Sequence, residues 1–311
     1  VATSENNIQE SIAQVYIQIL YAAESVKVNE NTLQVSIAQR DRGQELLNAG
    51  SIAKSDLAQL EAQVSTDRYQ LVTAQATLED YKLQLKQLLE LDGENEMNIY
   101  LPALSDENVL APLPTKRDVY ISALSLRPEI EASKLNVEAS ELGINIAKSS
   151  YFPTISLSAG IGTNHTSGSD FTFGEQVKNG WNNSIGLSVS VPIFNNRQTK
   201  SAVQKAKLQY ETSMLSLLDE QKALYKTIES LWLDANSAQQ RYAAANEKLK
   251  STQISYELIS EQFNLGMKNT VELLTEKNNL LQAQQEQLQA KYMAILNTQL
   301  LKFYQGDQLA L

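Results

Sequence analysis

The 311-residue chain contains no cysteine. Disulfides, thiolate metal ligands and cysteine nucleophiles are therefore excluded. Histidine occurs once, as His165, so a histidine-rich metal centre is excluded as well. Glycine and proline are scarce, at 12 and 6 residues, and few positions interrupt regular backbone. No run of about 18 apolar residues occurs, so no transmembrane helix is expected. Positive charge is in deficit, with a formal net charge of -10. That balance argues against a nucleic-acid partner gripped through its phosphates. No P-loop, GxSxG, HExxH or zinc-ligand spacing is present. The expectation is a protein that is not an enzyme and that holds no metal or cofactor.

What the chain does hold is helix former: Gln, Leu, Ala, Glu, Ser and Lys. Residues 1–91 read as helix with one break near Asn48-Ala49-Gly50-Ser51. Leu57, Val64, Leu71, Leu78 and Leu85 recur at a heptad spacing, beside a second stripe of Leu60, Asp67, Ala74, Tyr81 and Leu88. Asp67 is a flaw in that stripe. Residues 92–116, with Pro102, Pro112 and Pro114, read as a linker with little regular structure. Helix is expected again over 117–150. Within 151–194 the pattern changes to period two. Ile155, Leu157, Ala159 and Ile161, and later Ile185, Leu187, Val189 and Val191, alternate with small polar residues. These are two strands, flanked by Pro153 and Pro192 and joined by a long loop. Residues 195–306 return to helix, with one break near Gly266, before a short tail at 307–311. A helix of about 60 residues is roughly 90 Å long, which suggests a rod.

The two helical breaks superpose when the sequence is shifted by 216 positions, which brings Gly50 onto Gly266. The same shift pairs Asn48 with Asn264, Asp56 with Glu272, Leu57 with Leu273 and Leu85 with Leu301. We read two copies of a helix–tip–helix unit, with glycine permitting the tip. The strand pair has an aliphatic face and a small polar face, as in a membrane barrel with lipid outside and water inside. An amphipathic hairpin packed on its own helices is the other reading of the same pattern.

Three segments carry a resemblance. They are Leu124-Ser125-Leu126-Arg127-Pro128-Glu129-Ile130, Tyr151-Phe152-Pro153-Thr154-Ile155-Ser156-Leu157, and Leu187-Ser188-Val189-Ser190-Val191-Pro192-Ile193-Phe194. In this order the chain resembles the TolC-like outer membrane efflux protein family. The resemblance implies a mainly α fold of long antiparallel coiled-coil hairpins in two repeats, with the strand pair supplying part of a trimeric β-barrel. It implies a homotrimer in the outer membrane of a Gram-negative bacterium, in contact with outer membrane lipid. Its partners would be a periplasmic adaptor and, through it, an inner-membrane pump. The hairpin tips Gly50, Ser51, Ile52, Gly266 and Met267 would meet the adaptor. Asp56, Lys268, Glu272, Phe263 and Thr275 would line or hold the constriction, with an ion pair between Lys268 and Asp56. Tyr151, Phe152 and Phe194 would sit at the membrane interface. Family members carry a strand pair in each repeat, and here only the second repeat has one. Val1-Ala2-Thr3-Ser4-Glu5 does not read as a signal peptide, so an N-terminal portion is expected to precede this chain. The competing reading is a periplasmic coiled-coil adaptor or scaffold.

Overall fold

A computed structural model describes residues 1–91, 99–100, 102 and 109–309. The chain divides into two compact units, Val1–Glu129 with Gln221–Leu311, and Ile130–Glu220. In chain order the elements are α1 (Ala2–Asn48), α2 (Lys54–Leu88), α3 (Lys116–Leu126), α4 (Pro128–Ser149), β1 (Thr154–Gly162), α5 (Phe173–Asn179), β2 (Asn182–Ser190), α6 (Gln198–Asn264) and α7 (Thr270–Gln305). Among the described residues no helix is long and apolar enough to cross a membrane.

In the first unit α1 and α2 pack against each other and α7 packs on α1. Ile17 and Leu20 meet Tyr292, Leu296 and Leu300, with Tyr16, Tyr21 and Leu288 around them. The heptad stripe explains which face is covered: Leu57, Leu60, Val64 and Leu85 of α2 are buried. Most of the expected linker lies outside the described residues. Its described end is tied down. Val109 packs with Ala238, Tyr242 and Ala294. Gln239 Nε2 donates to the carbonyls of Val109 (3.0 Å) and Ala111 (2.8 Å). Trp232 Nε1 donates to the Pro114 carbonyl at 3.0 Å. Thr115 then caps α3 by accepting from the Asp118 amide.

The helix expected over 117–150 is broken at Arg127, which is extended at φ -76 and ψ 122. Pro128 disfavours helical backbone at the residue before it and starts α4 itself. The break places Arg127 in the core. Its Nη2 donates to Glu10 at 3.0 Å and its Nε to Glu129 at 2.9 Å, while its guanidinium lies 3.9 Å from the Tyr304 ring centroid. A buried cation here ties α1, α4 and α7 into one joint.

Burial is also written into the tyrosines. The Tyr292 phenol is pushed up to about 12, chiefly by burial and then by the Glu24 carboxylate. Burial likewise raises Tyr16, Tyr21, Tyr256 and Tyr304. A raised phenol holds its proton longer in the folded chain than in the unfolded one. The stability it contributes is complete below the unfolded value near pH 10 and is lost as pH rises through about 12. We expect alkaline unfolding of the helices to begin above about pH 10, with ionisation of Tyr292 contributing to the loss. Helical circular dichroism against pH checks this, and Tyr292→Phe should move the alkaline midpoint upward.

The second unit carries the antiparallel strand pair. Ile155 faces Val189, Leu157 faces Leu187 and Ala159 faces Ile185; Ser156 faces Ser188 and Ser158 faces Gly186. Directly opposed residues share a face, so the pairing gives one aliphatic and one small polar face. Ser140 and Ser213 join α4 to α6 by a 2.7 Å hydroxyl pair. The loop between the strands is not wholly irregular. It contains α5, whose start is held by Glu175 accepting from the Thr172 amide and hydroxyl.

Candidate functional site

The two tips are built alike. In the first, α1 ends at Asn48 and Gly50 takes φ +74. The Gly50 amide donates to Leu47 O and the Ser51 amide to Leu46 O. In the second, Gly266 takes φ +73, its amide donates to Phe263 O, and the Met267 amide donates to Gln262 O. Both are Schellman turns, which need left-handed backbone after the last helical turn and therefore favour glycine. The repeat seen in sequence is thus a repeat of hydrogen bonding. The following helices start alike too. Asp56 accepts from the Ala53 amide at 3.0 Å, and Glu272 accepts from the Asn269 amide at 3.2 Å. Only the second tip adds a side-chain cap, Asn269 Oδ1 accepting from the Glu272 amide.

This capping corrects one expectation. The ion pair between Lys268 and Asp56 is not formed within the chain. Lys268 Nζ lies 2.6 Å from Glu272 Oε1, one helical turn away on its own hairpin. Hydrogen bonds from Lys268 and from the Asn269 amide hold the Glu272 carboxyl below its ordinary range. A partner four residues along demands little ordering, and the Asp56 carboxylate is already engaged at its own helix start. Thr275 is exposed, its hydroxyl back-bonded along the helix to Val271 O at 2.8 Å.

Phe263, expected at the constriction, lies beneath the tip surface. It is 2% exposed and packs with Leu60 and Leu273 beneath the tips. A phenyl ring has no hydroxyl to add to a polar network, and burial is its lowest-energy place. Leu265, Met267 and Val271 are large apolar side chains that the second tip exposes, beside the exposed Asn264 and Asn269. Ser51 is exposed and Ile52 half-buried at the first. Gly43 of α1, unmarked in the sequence, makes room for Leu60 of α2: a Cβ there would collide with the Leu60 side chain. Gly43→Val should therefore destabilise the hairpin by about 1–3 kcal/mol through overpacking, read as a lowered thermal midpoint.

Some way along the helices from the tips lies a polar cluster that the sequence reading passed over. Asp67 of α2, taken there as a flaw in the stripe, is 1% exposed, and Lys277 of α7 is 3% exposed. Lys277 Nζ donates to Asp67 Oδ2 and to Ser36 Oγ of α1, and Ser36 Oγ also donates to Asp67 Oδ2. Gln63 Nε2 donates to Asp67 Oδ1 at 2.8 Å. Burial lowers the Lys277 pKa, opposed by the bond to Asp67. A signal was present: Lys277 falls between Leu273 and Leu281 on an apolar face, as Asp67 does between Leu60 and Ala74. Opposite charges on two facing stripes point to each other.

The strand pair of the second unit carries a different kind of surface. Ile155, Leu157, Ile161, Ile185, Leu187 and Val189 are all between 59% and 84% exposed. The reading in which this hairpin packs on its own helices is set aside, since every strand residue but Gly162 is exposed. Tyr151, Phe152 and Phe194 are exposed just outside the strand ends. The described residues contain no cluster of metal-ligating side chains.

Comparison with known proteins agrees with this architecture. Residues 119–306 match the family model described as outer membrane efflux protein. The outer membrane efflux protein BepC of Brucella suis is 24% identical over 94% of this chain and 61% of its own length. The outer membrane protein TolC of Escherichia coli is 24% identical over 95% of this chain and 60% of its own. The chain thus spans about three fifths of the relatives it matches. Among solved structures, CusC superposes with a TM-score of 0.81 at 18% identity, covering 99% of this chain and 70% of that one. VceC of Vibrio cholerae superposes at 0.75 and 17% identity, covering 99% and 74%. These likenesses bear out long helical hairpins with one antiparallel strand pair. A match over more than half its length to one family, on a fold that family shares, means that the chain belongs to the outer membrane efflux protein family.

Proposed function

We propose that this chain is the greater part of a protomer in a trimeric outer-membrane conduit, which conducts passively and performs no chemistry. The observation that carries the reading is the uncovered aliphatic face of β1 and β2, on a chain otherwise made of long helices. Two strands are marginal in water. In a bilayer each backbone polar group needs a partner, so strands must close into a barrel. Three copies of this pair make only six strands, fewer than a barrel needs, so further strands of each protomer together with the other copies would complete the ring, with lipid against Leu157 and Leu187 and water against Ser156 and Ser188. Tyr151, Phe152 and Phe194, exposed just outside the strand ends, would serve as the interface aromatics. A periplasmic adaptor would meet the tips at Gly50, Ser51, Ile52, Gly266 and Met267, and an inner-membrane pump acting through the adaptor would supply substrate and energy.

Opening would occur at the tips. Asp56, Lys268, Glu272 and Thr275 stand on the first turns after the two breaks, where short contacts between neighbouring tips would narrow the entrance. Phe263 supports them from within. The Lys268–Glu272 pair is part-exposed, and such a pair is worth only about 0–1 kcal/mol. Being that weak, it can be exchanged for a contact from Lys268 to Asp56 on the tip of a neighbouring copy, and a latch of that kind can open. The test is single-channel conductance of the complete protein in planar bilayers. Lys268→Ala and Asp56→Ala should each raise mean conductance about twofold or more, since a contact of about 0.5 kcal/mol shifts an equilibrium by that factor. Unchanged conductance in both variants refutes the latch, and absence of any channel refutes the conduit.

A further inference from the structure

Where α1, α2 and α7 meet, eleven residues past Gly266, Ser36, Asp67 and Lys277 close a ring of hydrogen bonds sealed from solvent. Ser36 and Asp67 belong to the first hairpin and Lys277 to the second. Of the ion pairs described, this is the one with both side chains almost wholly buried, at 3% and 1% exposure. The positions related to these by the repeat are Thr252, Ala283 and Glu61, which cannot rebuild the ring. The cluster therefore exists once, on one side of an otherwise repeated arrangement.

Between this cluster and the tips the two hairpins touch differently. Leu60 packs with Phe263 and Leu273, and Arg42 Nη2 donates to the Asn264 carbonyl at 3.4 Å. Apolar contact is non-directional and survives small sliding. A buried ion pair does not, because displacing one partner leaves a charge unpaired in a low-dielectric interior.

We propose that the Ser36–Asp67–Lys277 cluster is a pivot pin. It fixes α7 to the first hairpin at one level, so that the tip segments beyond it move while the helices on its other side stay in register. The pin lies about 10 Å along α7 from its start at Thr270, at 1.5 Å per residue, which sets the helical part of the moving segment. It rests on the conduit reading only in taking the tips as the part that moves.

The experiment is amide hydrogen exchange, read by mass spectrometry on the complete protein in detergent. The variant is Ser36→Ala/Asp67→Leu/Lys277→Met, which removes the ring without leaving a buried charge. We expect exchange over residues 13–25 and 285–301, which the pin holds in register, to accelerate at least about fivefold relative to the tip residues 44–52 and 264–272. A smaller relative change, including uniform acceleration along the helices, overturns the pin. If the triple variant does not fold, Ser36→Ala, which keeps both charges, is measured against the same segments, with a relative change of about twofold as the criterion. Exchange does not depend on conduction. A protein that conducts without differential exchange disproves the pin alone, and one with differential exchange that never conducts disproves the conduit alone.

Discussion

Lys277→Met alone should cost about 3–5 kcal/mol of helical stability, far more than any single change at the tips. The substitution removes the ammonium and strands the Asp67 carboxylate, which is 1% exposed and keeps only Ser36 and Gln63 as donors. Asp67→Leu in a wild-type background should cost a similar amount, because Lys277 would then be the unpaired charge. The double variant Asp67→Leu/Lys277→Met should recover most of the loss, since replacing both members of a buried pair by apolar groups is often near neutral. The measurement is a double-mutant cycle on thermal unfolding of the complete protein. Single variants that unfold within about 0.5 kcal/mol of wild type would mean that water reaches the pair and that it is not a structural tie.

The second large effect should come from the strands. Leu157 and Leu187 oppose each other next to the middle of the register, at 74% and 71% exposure. If lipid covers that face, Leu187→Arg places a guanidinium near the bilayer midplane, at about 2–4 kcal/mol per copy. Three copies in one barrel multiply that cost, so heat-resistant oligomer in the outer-membrane fraction should fall at least tenfold. Ser188→Arg, one residue along and on the opposite face, should assemble normally and alter conductance instead. Equal tolerance of both substitutions would mean that the aliphatic face meets something other than lipid.

These two sites differ in how far the sequence disclosed them. The strand pair was legible because period two is a local signal, and the register of Ile155 with Val189 follows from matching the two faces. The tips were legible because left-handed backbone selects glycine at Gly50 and Gly266. The Arg127 break was available from Pro128 and went unread inside a helical pattern. Asp67 looked like a flaw because a charge on an apolar stripe has meaning only once its partner is known. That partner, Lys277, is 210 residues away and carried by another helix. The expected pair of Lys268 with Asp56 is not made within the chain, for the converse reason. Equivalence between repeats gives positions, but a side chain takes its nearest partner, and Glu272 is one turn off. The α5 helix was missed because seven residues give too little periodicity to read.

The claim at the centre of this account is that β1 and β2 stand in a barrel wall between lipid and water. The most direct measurement is thiol labelling along the strands of the complete, membrane-assembled protein. These 311 residues contain no cysteine, so each introduced thiol is the only one in this stretch. Single cysteines placed at Ile155, Ser156, Leu157, Ser158, Leu187, Ser188 and Val189 are challenged with a membrane-impermeant maleimide. The account predicts labelling at 156, 158 and 188 and protection at 155, 157, 187 and 189. Labelling that does not alternate, or that alternates with the opposite phase, would contradict it.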